Sequence, residues 1–366
     1  MRRVANWFRR TPSTGRAPSL RPATSRPQAE ELEGRQLLSA TAAIYSPYGY
    51  PASNFYAIDA KTRQVVDYNT AQNLVTGGWY SAIRIPLGGP QHVTDVAAGF
   101  LSFTNVNKPE VFALTAGHQL WAYLPTPGPG GSYWVSLGSG FTAISATDDV
   151  WGSVFAINQK GQVLEHVPYG PPGQWTFFGR PGVAVKAISA SKDPDGKAEV
   201  FALGADGHIY LGRFGANGRP APWVTVDRTR AYRQISATDQ NTVYALGLKD
   251  GQITKETEFV FSLFGLHFDF WLGGQLPAQG VWATQISAGT DSLNRDVVYA
   301  IDRSSGQPYV FSAQGQWQRM DGSHPKEICA AAWGWYFDVD GRFSLPNEYN
   351  PFTGWYYTLD LAHPVL

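Results

Sequence analysis

The chain has 366 residues, 14% aromatic and 16% charged, which describes an aromatic-rich fold with a weakly charged surface. Lys and Arg balance Asp and Glu at a net charge of zero, yet residues 1–35 carry eight arginines against three glutamates, leaving the remainder mildly acidic and arguing against a nucleic-acid partner. No apolar stretch of about 18 residues is present to span a membrane as a helix, and a single cysteine excludes an internal disulfide.

In chain order, residues 1–40 come first as a basic tail rich in Arg, Pro and Ser. Its low apolar content predicts disorder, and no apolar core of a standard secretory peptide is present. The tail ends in Glu31-Leu32-Glu33-Gly34-Arg35-Gln36-Leu37-Leu38-Ser39-Ala40. This resembles the Leu-Glu-Pro-Arg-x-Leu-Leu motif found near the N-terminus of many secreted or surface proteins of planctomycete bacteria, with Gly34 in place of the proline. The resemblance implies an extracellular or cell-surface protein of such an organism.

From residue 41 onward a phrase repeats. Ile144-Ser145-Ala146 recurs as Ile188-Ser189-Ala190, Ile235-Ser236-Ala237 and Ile286-Ser287-Ala288. Each copy precedes a short β run: Val154-Phe155-Ala156-Ile157, Val200-Phe201-Ala202-Leu203, Val243-Tyr244-Ala245-Leu246 and Val298-Tyr299-Ala300-Ile301. A glycine turn, another β run and a tryptophan follow. A period of about 40–55 residues with four short strands per unit predicts a β-propeller.

By this template residues 41–366 form seven four-stranded antiparallel blades, with first strands centred on Ala43, Val96, Ile144, Ile188, Ile235, Ile286 and Ile328. Trp79, Trp134, Trp175, Trp223, Trp271, Trp317 and Trp355 close the units as packing residues. Trp121, Trp151, Trp282 and Trp333 fall outside that register and are expected at the surface. Gly161, Gly207, Gly251, Gly306 and Gly341 mark hairpins needing positive φ. His118 and His208 are expected to match one another in exposed turns. Cys329 takes the place of the repeated serine, as a small strand residue.

The chemistry-bearing residues are sparse. The seven histidines have no zinc-type spacing, and there is no nucleophile elbow or phosphate loop, so no metal, cofactor or catalytic constellation is expected. Asp148, Asp193, Asp239 and Asp291 each follow a first strand, on the face shared with the long loops between third and fourth strands. Trp151, Tyr133 and Tyr169 belong to the same face. Carboxylates accepting hydroxyl hydrogen bonds beside aromatic rings suit sugar recognition. An aspartate just past a strand also forms an Asx-turn, which is a purely structural role. No carboxylate breaking the repeat in one unit alone stands out.

The unit Ile-Ser-Ala…Val-Phe-Ala-Ile-Asn…Gly-Gln-Val…Trp is similar to the tectonin-type repeat and to related bacterial lectin propellers, most clearly over residues 140–320. Second strands of that family usually contain Val-Trp-Gly-Val-Asn, whereas this chain has Val-Phe-Ala-Ile-Asn at 154–158. The resemblance implies binding of cell-surface glycans or lipopolysaccharide, with no binding residue carried over. The expected function is therefore a monomeric, non-enzymatic recognition propeller with a glycan or protein ligand. A hydrolase or lyase with its site at the central channel, and a structural or protein-interaction module, are the competing readings.

Overall fold

In the computed structural model, the described residues are 42–45, 51–59, 62–70, 83–101, 108–124, 133–147, 153–166, 173–193, 195–215, 217–238, 241–263, 266–290, 295–312, 315–320, 327–330, 336–339, 348–349 and 356–357. All belong to the unit Gln36–Leu366; the basic tail and the Leu-Glu-Gly-Arg motif lie outside the described residues.

Among the described residues the architecture is an all-β propeller of six four-stranded antiparallel blades, each a simple meander. Blade one comprises β1 (Ala42–Tyr45), β2 (Pro51–Ile58), β3 (Val65–Thr70) and β4 (Ile83–Pro86). Blade two comprises β5 (Val93–Leu101), β6 (Lys108–Thr115), β7 (Gln119–Leu124) and β8 (Tyr133–Ser139). Blade three holds β9 (Phe141–Ala146), β10 (Val154–Asn158), β11 (Val163–His166) and β12 (Thr176–Gly179). Blade four holds β13 (Val185–Lys192), β14 (Ala198–Gly204), β15 (Ile209–Arg213) and β16 (Val224–Asp227). Blade five has β17 (Tyr232–Thr238), β18 (Thr242–Gly247), β19 (Ile253–Leu263) and β20 (Leu266–Gln275). Blade six has β21 (Ala283–Thr290), β22 (Asp296–Asp302), β23 (Pro308–Phe311) and β24 (Trp317–Arg319). Among the described residues no helix is long and apolar enough to cross a membrane.

The expectation of seven blades is corrected to six. The seventh unit gives two separate pairs, β25 (Glu327–Ala330) with β26 (Tyr336–Val339), and β27 (Glu348–Tyr349) with β28 (Tyr356–Tyr357). β25 lies beside β21, and Ile328 packs with Tyr299 and Met320 of blade six, so the unit begins as a blade would. The register shows where it departs. Asp338 pairs with Ile328, as Ala156 pairs with Ile144 and Ala300 with Ile286. Ala113, Ala156, Ala202, Ala245 and Ala300 are wholly buried in their blades.

The repeated second-strand phrase follows from that stacking. A middle strand is covered on both faces, so its apolar residues run continuously rather than alternating. Val154 and Ala156 join the cluster shared with blade two, while Phe155 and Ile157 join the cluster shared with blade four. Val200 and Ala202 then present a small surface to Phe155. A ring of one blade thus meets an alanine of the next, which fills the inter-blade space without overpacking.

The tryptophans bolt the same interfaces. The indole N–H of Trp134 donates to Leu87 O at 3.1 Å, Trp175 to Leu137 O at 2.9 Å, Trp223 to Phe178 O at 3.3 Å and Trp317 to Pro277 O at 2.8 Å. Each acceptor belongs to the outer part of the preceding blade or the chain just after it. Trp79 and Trp355 lie outside the described residues. Of the tryptophans expected at the surface, Trp282 is 41% exposed, but Trp121 is a correction. It is half-buried with its indole nitrogen enclosed, because it sits in β7 opposite the buried Ala113. Trp151 and Trp333 lie outside the described residues.

The serine of the repeated phrase has a specific task. Ser145 Oγ accepts from Ala190 N at 2.9 Å, Ser189 Oγ from Ala237 N at 2.9 Å and Ser236 Oγ from Ala288 N at 2.8 Å. The Ile-Ser-Ala phrase recurs because the serine of one first strand receives the alanine N–H of the next. This stitches neighbouring inner strands, which have no ladder between them. Replacing Ser189 by Ala removes one such acceptor and is expected to cost about 1 kcal/mol in urea unfolding, without changing the slope of the transition.

Candidate functional site

The two ends of the propeller differ in how their backbone is used. At one end lie the hairpins between second and third strands and the links entering each blade. The carbonyls of Arg63, His118, Gly161, Gly207 and Gly251 accept from Val93, Phe141, Val185, Tyr232 and Ala283 N–H at 2.8–3.2 Å. Within single blades, Ala116, Gln159, Ala205, Leu248 and Arg303 N–H donate to His92, Gly140, Ala184, Ala231 and Trp282 carbonyls at 2.6–3.0 Å, closing each hairpin onto the link that enters its own blade. The five accepting residues all have φ between 55° and 84°, which explains the glycines; Arg63 and His118 adopt it at some cost. At Gly161 a Cβ would also come within 2.7 Å of Ala184 Cβ. His118 therefore matches Gly207 and not His208, one residue away from the expected correspondence.

The opposite end carries the turns between first and second strands and the loops between third and fourth. Two of the seven predicted site residues are described there. Tyr133 opens β8 and is 50% exposed. Asp193 closes the turn into β14: its Oδ1 accepts from Lys197 N at 2.8 Å, its N–H donates to Lys197 O and its carbonyl accepts from Gly196 N. The Asp193 side chain thus caps the turn structurally, bonding the backbone four residues on. Tyr133 and Asp193 stand on blades two and four, with blade three between them. Asp148, Asp239, Asp291, Trp151 and Tyr169 lie outside the described residues.

Directly beneath this end is a charged network that the sequence reading missed. Arg213, last in β15, donates from Nε to Glu199 Oε2 at 2.7 Å within blade four, and from Nη1 to Glu258 Oε1 at 2.8 Å in blade five. Ser191 Oγ donates to Glu199 Oε1 at 2.9 Å, and Asn241 Nδ2 to Glu258 Oε2 at 3.1 Å. Glu199 is completely buried. Burial pushes its carboxyl above the usual range, with Arg213 and Ser191 pulling against it. Burial likewise opposes the charge of Arg213, but the glutamates outweigh it and raise its pKa. On the other side of blade five, Lys255 Nζ lies 2.9 Å from Asp296 Oδ2, and Thr238 Oγ1 donates to Asp296 Oδ1 at 2.6 Å. These charges join consecutive blades. Their signal in the sequence was a carboxylate beside an otherwise apolar strand, as in Glu199-Val200-Phe201.

Blade five also breaks the repeat, contrary to the expectation that no unit does so with a carboxylate. In four blades the second-strand valine pairs with a third-strand residue whose outer partner is the blade tryptophan. Tyr123 lies 5.2 Å from Trp134, His166 lies 5.3 Å from Trp175 and Phe311 lies 5.2 Å from Trp317, centroid to centroid. In blade four the place is Gly212, against the edge of Trp223. In blade five the corresponding residues are Glu256, paired with Val243, and Gly273 in β20. Trp271 is displaced by two positions and pairs with Glu258. The Glu256 carboxyl occupies the room left over Gly273, where any Cβ would collide with it. Aligning Trp271 with the other tryptophans hid this shift.

Glu256 is 5% exposed. Its pKa is raised to about 7, first by burial and then by the charge of Asp227. Asp227 itself is held below the ordinary range: burial opposes this, but Tyr232 Oη donates to its Oδ2 at 2.5 Å and Thr229 N to its Oδ1 at 2.6 Å. This part of the blade can hold a proton. Among the described residues no group of three or more His, Cys, Asp or Glu side chains is arranged to hold a metal ion.

No protein-family model matches the chain, and no curated protein does either. Solved structures do. A protein from Lactobacillus plantarum aligns at TM-score 0.53 and 14% identity, covering 83% of this chain and 94% of that one. BBS1N, solved in complex with ARL6DN, aligns at TM-score 0.51 and 12% identity, covering 83% and 90%. Virginiamycin B lyase from Staphylococcus aureus aligns at TM-score 0.46 and 11% identity, covering 73% and 85%. At such identities the first two similarities establish the propeller fold alone.

Proposed function

We propose that this chain is a non-enzymatic recognition propeller, located outside the cell or on its surface, that binds glycans on the face carrying the first-to-second and third-to-fourth strand connections. The observation that carries the reading is the contrast between the two ends. One is committed to repeated main-chain hydrogen bonds, in which the hairpin carbonyl of one blade accepts from the first strand of the next. The other offers connections of unequal length, with the exposed Tyr133 at the start of β8. Rings that stack on sugar C–H faces, and carboxylates that accept hydroxyl hydrogen bonds, are the groups the sequence assigns to this face. The serines of the first strands are occupied as acceptors for their neighbours, which supports recognition over chemistry at the channel. The surface location rests on the motif at residues 31–40 and its resemblance to the planctomycete signal. The protein acts as a monomer in this reading.

A glycan array probed with the full chain tests it. Binding to at least one saccharide class is expected, and it weakens when Asp148 and Asp239 are both replaced by Ala, because each loses a charged acceptor. Binding that survives both changes would make these aspartates turn residues; no binding to any saccharide would overturn the glycan reading.

A further inference from the structure

We infer that the joint between blades four and five is a proton-dependent seam, held closed by neutral Glu256 and loosened when that carboxyl ionises. This goes beyond glycan recognition and does not depend on it. The geometry is particular to this joint. In the neighbouring interfaces the corresponding space is filled by an aromatic ring or a glycine against the blade tryptophan. Here a glutamate and a glycine replace that pair, so a carboxyl sits where blades two, three and six place a ring against the tryptophan, His166 being the ring in blade three.

The surroundings favour the neutral form. β16 presents Asp227, whose charge is stabilised by Tyr232 and Thr229. β17 presents Tyr232, and β19 itself carries Thr254 and Glu258 on the same side as Glu256. Among the described residues Arg213 of β15 hydrogen-bonds to Glu199 and Glu258, and Arg230, between β16 and β17, lies 3.5 Å from Asp250, so both cations are taken up by other carboxylates. β20 contributes Gly273 and Trp271, and Trp271 packs edge-on against Phe201 of β14. His208, in the hairpin after β14, adds a charge that acts on Asp227 when protonated. An ionised Glu256 therefore meets the Asp227 carboxylate without a cation of its own.

The sign follows from linkage. A carboxyl whose pKa is raised on folding contributes stability that is fully present below the ordinary carboxylate pKa. That contribution is lost as pH rises through the folded value, which is about 7 here. Opening of the seam should become roughly tenfold more frequent between pH 6 and pH 8.

The test is amide hydrogen exchange on the full chain across that range, corrected for intrinsic rates by reference to β10 and β11. The amides of β19 and β20 near residues 254–258 and 272–274 should lose protection about tenfold with rising pH. Glu256→Gln should abolish that dependence while leaving β10 and β11 unchanged. An equal pH dependence in the wild type and Glu256→Gln would overturn the proposal. Should Glu256→Gln fail to fold, infrared spectroscopy on the full chain carrying Asp67→Asn decides. Asp67 is also raised to about 7 and Glu199 is raised by burial as well, so Asp67→Asn removes one overlapping band and comparison with Glu199→Gln assigns the other. A protonated-carboxyl band present at pH 6 and gone by pH 8.5 supports the seam, and its absence at pH 6 contradicts it.

Discussion

Replacing Arg213 by Met should destabilise the propeller by about 3–5 kcal/mol at pH 7, the cost of leaving buried carboxylates without their cation. Glu199 is completely buried and the Glu258 side chain is 3% exposed, so neither can turn to water when the guanidinium is removed. The loss should shrink as pH falls from 7 to 4, because protonation neutralises the stranded Glu199, whose carboxyl burial already raises. Unfolding in urea at several pH values reads this directly. Arg213→Lys should recover only part of the loss, since a single ammonium cannot reproduce the two-sided contact. Replacing Arg213, Glu199 and Glu258 together by Met should restore most of the stability, because the network's role is to join blades and not to add energy over an apolar contact. A mild, pH-independent effect of Arg213→Met would show that the network contributes little to the joint.

The second large effect is expected at Phe155. Its ring is fully buried, lies 5.4 Å edge-on from Phe178 and shares a cluster with Ala202 of the next blade. Phe155→Ala leaves alanine facing alanine across the interface, a cavity that stacked sheets cannot close by local movement. A loss of about 3–5 kcal/mol is expected in thermal or denaturant unfolding. The paired variant Phe155→Ala with Ala202→Phe tests the interdigitation itself. Recovery of part of the loss would show that the ring can be supplied from either side, and a further loss would show that the neighbouring residues fix its direction.

Much of this fold was legible in the residues. The period, the four-strand unit and the placement of the first strands at Val96, Ile144, Ile188, Ile235 and Ile286 all agree with the observed sheets. They were legible because each blade must repeat the same solution: a doubly covered strand, a large ring against a small residue, and an indole reaching the previous blade. The seventh blade was not, because spacing and aromatic content mark a unit without showing whether it can be buried on both sides. The reason for the serine in Ile-Ser-Ala was hidden for another cause: its partner lies about 45–52 residues away, in the next copy of the same phrase.

The candidate site was less legible than the fold. Asp193 adopts the turn geometry that its position after a strand also allowed. The charges of greatest structural consequence, Arg213, Glu199 and Glu258, lie inside strands, where composition suggests packing and only three-dimensional register brings them together. Glu256 was concealed by a two-residue displacement of Trp271, visible only once the pairing of β19 with β20 is known.

The most direct test of recognition on the open face is photo-crosslinking of the full chain with a diazirine-bearing form of the saccharide that binds best, followed by peptide mapping. Adducts are predicted on the connections spanning residues 125–132, 147–153, 167–175 and 239–241, with Tyr133 among the labelled positions. Adducts confined to the hairpins around His118, Gly161, Gly207 and Gly251, or to the first strands lining the axis, would contradict the account.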